Sequence, residues 1–391
     1  MSVSRRGFLR KLTAGAVVGS FTPWSGSATA SAWTSVGDPE RERAEHDQLE
    51  RDQEGFLLLD SNENAYGPTP KVVSAAQESL KRANRYAFRE YGALTEDIAR
   101  LNKVQTNQIL LGCGSTDLLR VAAAALLGPG KKLITAAPTF EDLATYSKAV
   151  GAEVVTVPLT ATFAHDLDAM LARVDSTTAL VYICNPNNPT ASITPRAEIE
   201  TFLSKLPPSV YVLIDEAYHH YVNPSARYVS FLDRPAANNN VIVLRTFSKV
   251  YGMAGLRLGY AVAAPVLMEK MRPYLTDVDL NCAAVAAGRA ALADIESVRN
   301  FVRRNADDRQ EFFNQAMARM LKPIDSHANF VMMDAHQPAD DVIEHFLKHK
   351  IRIGRHFPPM THHIRVSLGT PSAMEEFWRV WDLIPQSKMA M

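Results

Sequence analysis

The sequence predicts an α/β protein with a large, mostly parallel, three-layer unit and a smaller α+β unit. Two observations carry this. Between residues 85 and 276 short apolar runs alternate with longer amphipathic stretches, the order expected when helices cover both faces of a parallel sheet. From Asp277 onward the pattern changes to long helical stretches and a few short strands. At 391 residues and 47% apolar composition the chain is long enough to bury a large core.

Taken in order, the apolar runs 109–111, 132–135, 153–157, 179–183, 210–214, 241–244 and 258–262 are expected strands. The stretches 72–83, 116–127, 142–150, 168–171, 195–206 and 265–271 are expected helices. Phe312, Phe313, Met317, Met320 and Leu321 recur at helical spacing, and a helix is expected over 339–349. Strands are expected at 330–333, 351–353 and 364–368, and Thr370-Pro371 reads as the cap and first-turn proline of a last helix.

The start of the chain reads differently. Arg5-Arg6, then Phe8-Leu9, a Gly/Ala-rich apolar run from Leu12 to Phe21, and Ala28-Thr29-Ala30 have the form of a twin-arginine export signal over 1–30. The run is too short and weak to span a bilayer. Residues 31–54 are dense in charge and read as a polar arm, so the folded body is expected to begin near Phe56. Residues 55–84 join 277–391 in the smaller unit, and 85–276 form the larger one. The expected location is outside the cytoplasm, by way of the twin-arginine machinery.

Forty-two basic residues balance 42 acidic ones, which excludes a basic footprint for nucleic acid. Three cysteines, Cys113, Cys184 and Cys282, are too few and too scattered for a disulfide framework and read as buried small hydrophobes. His345, His349, His362 and His363 lack carboxylates and cysteines at ligand spacing, so no metal is expected.

In an open parallel sheet ligands sit at the carboxyl ends of the strands, and the unusual residues of this chain gather there. Lys249 lies just past the run 241–244, beside Ser248 and ahead of Arg257. An amine so placed can join a carbonyl while Ser248 and Arg257 hold a phosphate, which suits pyridoxal phosphate (PLP) held as a Schiff base. Gly112-Cys113-Gly114-Ser115-Thr116-Asp117 leads from a strand into a helix, a place for an anion. It lacks the third glycine of a dinucleotide fingerprint, where Asp117 stands. Phe140 follows the next strand and can cover a planar ring. Asn185-Pro186-Asn187-Asn188-Pro189 fixes a loop from which an asparagine amide can reach a phenolate oxygen. Asp215 ends a buried run, where a protonated pyridine nitrogen would be a fitting partner, and Tyr218 can reach the ring hydroxyl.

Together LDSNENAYGPTP, GCGSTD, PTF, NPNNPT, DEAY and SKVYGMAGLRLGY resemble, in family order from about Leu57 to Trp381, the fold type I PLP aminotransferases, and most closely their histidinol-phosphate aminotransferase branch. The resemblance implies a homodimer with shared active sites, an amino donor and a 2-oxo acid acceptor. It makes Lys249 the Schiff-base lysine and proton carrier, Asp215 the pyridine partner, and Tyr218 with Asn188 the ligands of the ring hydroxyl. Ser115, Thr116, Ser248 and Arg257 become the phosphate cup and Phe140 the stacking ring. Tyr86 would reach the partner subunit's phosphate, Arg365 the substrate's acidic group, and Arg355 a substrate phosphate. Ala65, Ala87, Ala191 and Thr116-Asp117 depart from the family pattern, and none of these removes a reacting group. The rival readings are a decarboxylase or lyase on the same scaffold and a non-catalytic PLP- or amine-binding protein.

Overall fold

The computed structural model describes residues 50–385 apart from 224, 226, 234–239 and 277–278. The export signal and residues 31–49 of the polar arm lie outside the described residues.

Seven strands form the central sheet: β2 (Ile109–Gly112), β3 (Lys132–Ala137), β4 (Glu153–Pro158), β5 (Thr178–Cys184), β6 (Tyr211–Asp215), β7 (Val241–Thr246) and β8 (Gly259–Val262). Their order is β2-β8-β7-β6-β5-β3-β4, and β8 alone runs against the others. Alternate residues of each strand enter different cores. On β5, Val181 and Ile183 pack on one face while Leu180, Tyr182 and Cys184 pack on the other, and Val243 and Leu244 divide β7 in the same way. Both faces of the inner strands are therefore dry, which is why they read as unbroken apolar runs, whereas in the edge strand β4 only Val157 is buried.

Helices α2 (Phe88–Asn102), α3 (Ser115–Leu126), α4 (Asp142–Ala149), α5 (Leu167–Leu171), α6 (Arg196–Lys205) and α7 (Pro265–Met271) cover the sheet with α8 (Cys282–Ala293). The sequence reading has no helix over 88–102. Leu94, Ile98 and Ala99 are its buried stripe, but the flanking charges and Gly92 dilute the period. Helix α1 (Pro70–Leu80) packs on α8, capped by the Thr69 hydroxyl, which accepts from the Val72 N–H.

The long α9 (Ile295–Ala318) leads to β9 (Lys322–Pro323), β10 (Phe330–Asp334), α10 (Ala339–Lys348), β11 (Ile351–Ile353), β12 (His363–Ser367) and α11 (Pro371–Trp381). Strand β10 sits between β12 and β9, and Phe346 stacks on Phe377 at 4.8 Å in the core these elements share. Thr370 caps α11 as its sequence suggests, accepting from the Ala373 N–H. Strand β1 (Leu57–Leu59) pairs in parallel with β11, so the first described strand joins one of the last. Glu50 is buried and accepts from the Thr370 N–H and hydroxyl at 2.8 and 2.9 Å. The body thus reaches back to Glu50, ahead of the start expected near Phe56. Of the three cysteines only Cys184 is buried; Cys113 and Cys282 are half-buried, which corrects the expectation for these two.

The loop 60–68 abuts the loop after β7. Gly252 has φ +67°, and a Cβ there would lie 2.3 Å from the Gly67 carbonyl oxygen. Both backbone conformation and space demand glycine. Gly252→Ala is expected to destabilise the fold by about 2 kcal/mol or more. Chemical denaturation checks this, and an unchanged midpoint would show that the two loops do not depend on each other.

Candidate active site

The ends of β2, β5, β6 and β7 and the loop 60–63 enclose a cavity of about 450 Å³. Lys249, Asp215, Tyr218, Asn188, Phe140, Ser115, Thr116, Ser248, Arg257 and Arg365 all line it, so ten sequence-predicted residues meet in one place. Two do not. Arg355 lines an adjoining cavity of about 400 Å³. Tyr86 is 75% exposed in the loop before α2, where its ring packs on Phe88.

Lys249 follows β7 by three residues, and its Nζ donates to the Ser61 carbonyl at 3.0 Å above the Tyr218 ring. Burial, reinforced by the positive charge of Arg365, lowers its pKa to about 8. About a tenth of the amine is therefore unprotonated at pH 7 and fit to act as nucleophile or base.

Asp215 ends β6, one strand over, and is buried. It accepts from the Tyr182 hydroxyl at 3.0 Å and the Ala217 N–H at 3.1 Å. Those bonds favour the carboxylate, yet burial outweighs them and raises its pKa to about 6. A buried acid held in this way is suited to a cationic partner brought in from outside the chain. Burial likewise drives the Tyr218 phenol well above its ordinary range, so it stays a hydroxyl.

The third part is a cradle for an anion. Helix α3 begins at Ser115 with no side-chain cap, leaving first-turn N–H groups open to the cavity. Arg257 closes the other side, donating to the Ser248 hydroxyl at 3.4 Å and to the Ala254 carbonyl at 3.0 Å. Gly114, at φ +78°, lets the guanidinium this close, because a Cβ there would lie 2.3 Å from Arg257 Nη2. An amine, a buried carboxylate and an anion cradle open on one cavity. That is the donor set the cofactor expected from the sequence requires, and the residues fit it.

Arg365, on β12, is buried against Phe357 and Phe330. It donates to Asn188 Oδ1 at 2.7 Å and to the Asp60 carbonyl, while its Nε has no partner. Both acceptors are neutral, so the guanidinium keeps its full charge for an incoming carboxylate. Arg355 instead donates from Nη2 to Glu141 Oε2 at 2.5 Å.

Two residues of the site escape the sequence reading. Asn62, at φ 53°, is buried and donates from Nδ2 to the Tyr218 hydroxyl at 3.1 Å, while its N–H reaches the Ser367 hydroxyl at 2.8 Å. Its place in the polar stretch 60–68 is the one signal available beforehand. Tyr182 reads as a core strand residue, and nothing in its spacing announces a hydrogen bond to Asp215. The histidines serve locally: His345 meets the Val380 carbonyl, and His349 the His345 carbonyl.

Comparisons with known proteins agree with this geometry. The chain is 35% identical over 334 residues to histidinol-phosphate aminotransferase of Moorella thermoacetica, covering 85% of this chain and 86% of that one. It is 34% identical over 298 residues to aromatic amino acid aminotransferase of Cutibacterium acnes, covering 76% and 84%. The fold matches the crystal structure of histidinol-phosphate aminotransferase from Sinorhizobium meliloti in complex with pyridoxal-5'-phosphate, at TM-score 0.79 and 26% identity over 91% of this chain and 99% of that one. Residues 54–380 match the family described as aminotransferase class I and II, and the chain belongs to that family.

Proposed function

We infer that this cavity carries out PLP-dependent transfer of an amino group between an amino acid or related amine and a 2-oxo acid. The observation that carries the reading is the meeting of Lys249, Asp215 and the cradle of Ser115, Ser248 and Arg257 in one cavity. Pyridoxal phosphate, when bound, supplies an aldehyde carbon for the amine and a protonated ring that accepts the electron pair left at the substrate's Cα.

The residues divide the remaining work. Lys249, with its lowered pKa, would hold the aldehyde carbon of the cofactor and, once displaced by a substrate amine, would be the base that takes the proton from the substrate's Cα. Asp215 as a carboxylate keeps the pyridine nitrogen protonated, and Tyr182 and Ala217 hold that carboxylate in place. Tyr218 and Asn188 serve the ring oxygen, Asn62 orients Tyr218, and Phe140 covers the ring. The cradle takes the phosphate, with Thr116 at the same helix start, and Arg365 takes the substrate carboxylate.

Purified protein loaded with PLP is expected to convert to the amine form of the cofactor on addition of glutamate or another donor and to release the matching 2-oxo acid. Borohydride treatment before the donor should fix the cofactor on the Lys249 peptide. Release of CO2 in place of a 2-oxo acid would favour the decarboxylase instead.

Assembly and location belong to the same reading. The exposed Tyr86 and Phe88 suit a homodimer in which Tyr86 completes the partner subunit's phosphate site, which light scattering at twice the chain mass would support. The Arg5-Arg6 pattern supports export through the twin-arginine machinery to an extracytoplasmic site, and cell fractionation of an Arg5→Lys, Arg6→Lys variant tests it.

A further inference from the structure

Three carboxylates line the cavity that holds Lys249: Asp60, Asp215 and Glu63. Two of them are engaged. Asp215 is held by Tyr182 and Ala217 and faces the cofactor ring. Asp60 accepts from the Ser61 hydroxyl at 3.1 Å and lends its charge to Arg365. The Glu63 carboxylate is exposed and has neither a hydrogen bond nor an ion pair among the described residues. Its backbone, by contrast, is clamped. Asn329, buried just ahead of β10, donates from Nδ2 to the Asn62 and Glu63 carbonyls at 3.0 and 2.9 Å. A carboxylate left in water needs no partner for stability, and on a clamped loop it stays where a ligand will meet it.

The place this charge acts on is the amine. The Ser61 carbonyl, two residues before Glu63, accepts from Lys249 Nζ. Arg365 and Arg257 push against a positive charge on that nitrogen, and of the carboxylates Glu63 favours it more strongly than Asp215 does. An amino donor must bring its own nitrogen, as an ammonium, to the same spot in order to displace Lys249. What attracts one amine there attracts the other. A 2-oxo acid brings a carbonyl oxygen to that spot and gains nothing from a nearby negative charge. We propose, on the amino-transfer reading, that Glu63 is the counter-charge for the ammonium of the amino donor. Glu63 is then a specificity-determining residue, which separates the amine from the oxo acid at the one site both must use.

Glutamate and 2-oxoglutarate share both carboxylates and differ only at Cα, so their two half-reactions isolate the effect. Glu63→Gln is expected to raise the KM for glutamate about fivefold, the size of one charge contact open to solvent, and to leave the KM for 2-oxoglutarate unchanged. The loss should reside in KM rather than kcat. Glu63→Asp, which keeps the charge, should restore most of the difference. Capture of PLP by the cofactor-free protein gives a reading without turnover. With Arg365, Arg257 and Asp215 in place, Glu63→Gln should move the pH profile of capture down by about 0.7 of a unit, the same fivefold factor acting on the protonated amine of Lys249. Equal changes in the two KM values, no change in either, or an unmoved capture profile overturns the proposal. Absence of a half-reaction with every donor in the native protein would instead remove the amino-transfer reading, and the capture profile alone would then decide whether the charge of Glu63 reaches the amine.

Discussion

Lys249→Ala is expected to lower amino transfer by about four orders of magnitude, the upper end of what one positioned acid-base group supplies. The protein should still fold, since the side chain gives a single hydrogen bond, to the Ser61 carbonyl. In the native protein, the rate at which PLP is captured should rise with pH and level off above about 8, because the free amine is the reacting form and its pKa is lowered to about 8. Stopped-flow absorbance across pH 6–10 reads this profile. A plateau reached only near pH 10 would show that burial does not tune the amine.

Asp215→Asn is expected to work in two opposite directions. Catalysis should fall about 10²–10³-fold, the usual loss when one preorganised electrostatic partner is removed. The cofactor-free protein should become more stable at neutral pH. Between 3.8 and about 6 the folded state keeps a proton that the unfolded state has released, so this residue costs stability as pH rises and the full cost is present above 6. A rise from 3.8 to about 6 corresponds to roughly 3 kcal/mol. The amide can keep both contacts, its Oδ1 accepting from the Ala217 N–H and its Nδ2 donating to the Tyr182 hydroxyl oxygen, so most of that cost of about 3 kcal/mol should be recovered. Urea unfolding at pH 4 and pH 8 tests both halves, since the gain should appear at pH 8 and vanish at pH 4. A variant less stable at pH 8 would mean that Tyr182 and Ala217 already compensate the buried charge.

The inner sheet strands are legible in the sequence because burial on both faces writes them as unbroken apolar runs, and the edge strand β4 is legible from its valines alone. The same runs carry no direction, so the reversed β8 is not readable from them. Helix α2 hides for a different reason: a three-residue stripe amid charges has too little periodicity to stand out. Asp215 is visible because a charged residue directly after a buried apolar run is costly without a purpose, and Lys249 and Arg257 because they lie in the glycine-bearing loop between the runs 241–244 and 258–262. Asn62 and Glu141 are not visible, since each acquires meaning from a partner far along the chain, Tyr218 in one case and Arg355 in the other.

The pairing of β1 with β11 bears on when this protein can begin to work. Asn62 must meet Ser367, and Asp60 must meet Arg365, so the earliest part of the folded body closes on nearly the last. The emerging polypeptide carries its lysine and sheet out of the ribosome well before it carries the residues that wall the cavity. At roughly 5–20 residues per second, the more than one hundred residues between Lys249 and Arg365 take several seconds or more to be made. Throughout that interval the amine has no finished cavity around it, and capture of the cofactor in its working geometry waits until the stretch bearing Arg365 has been made.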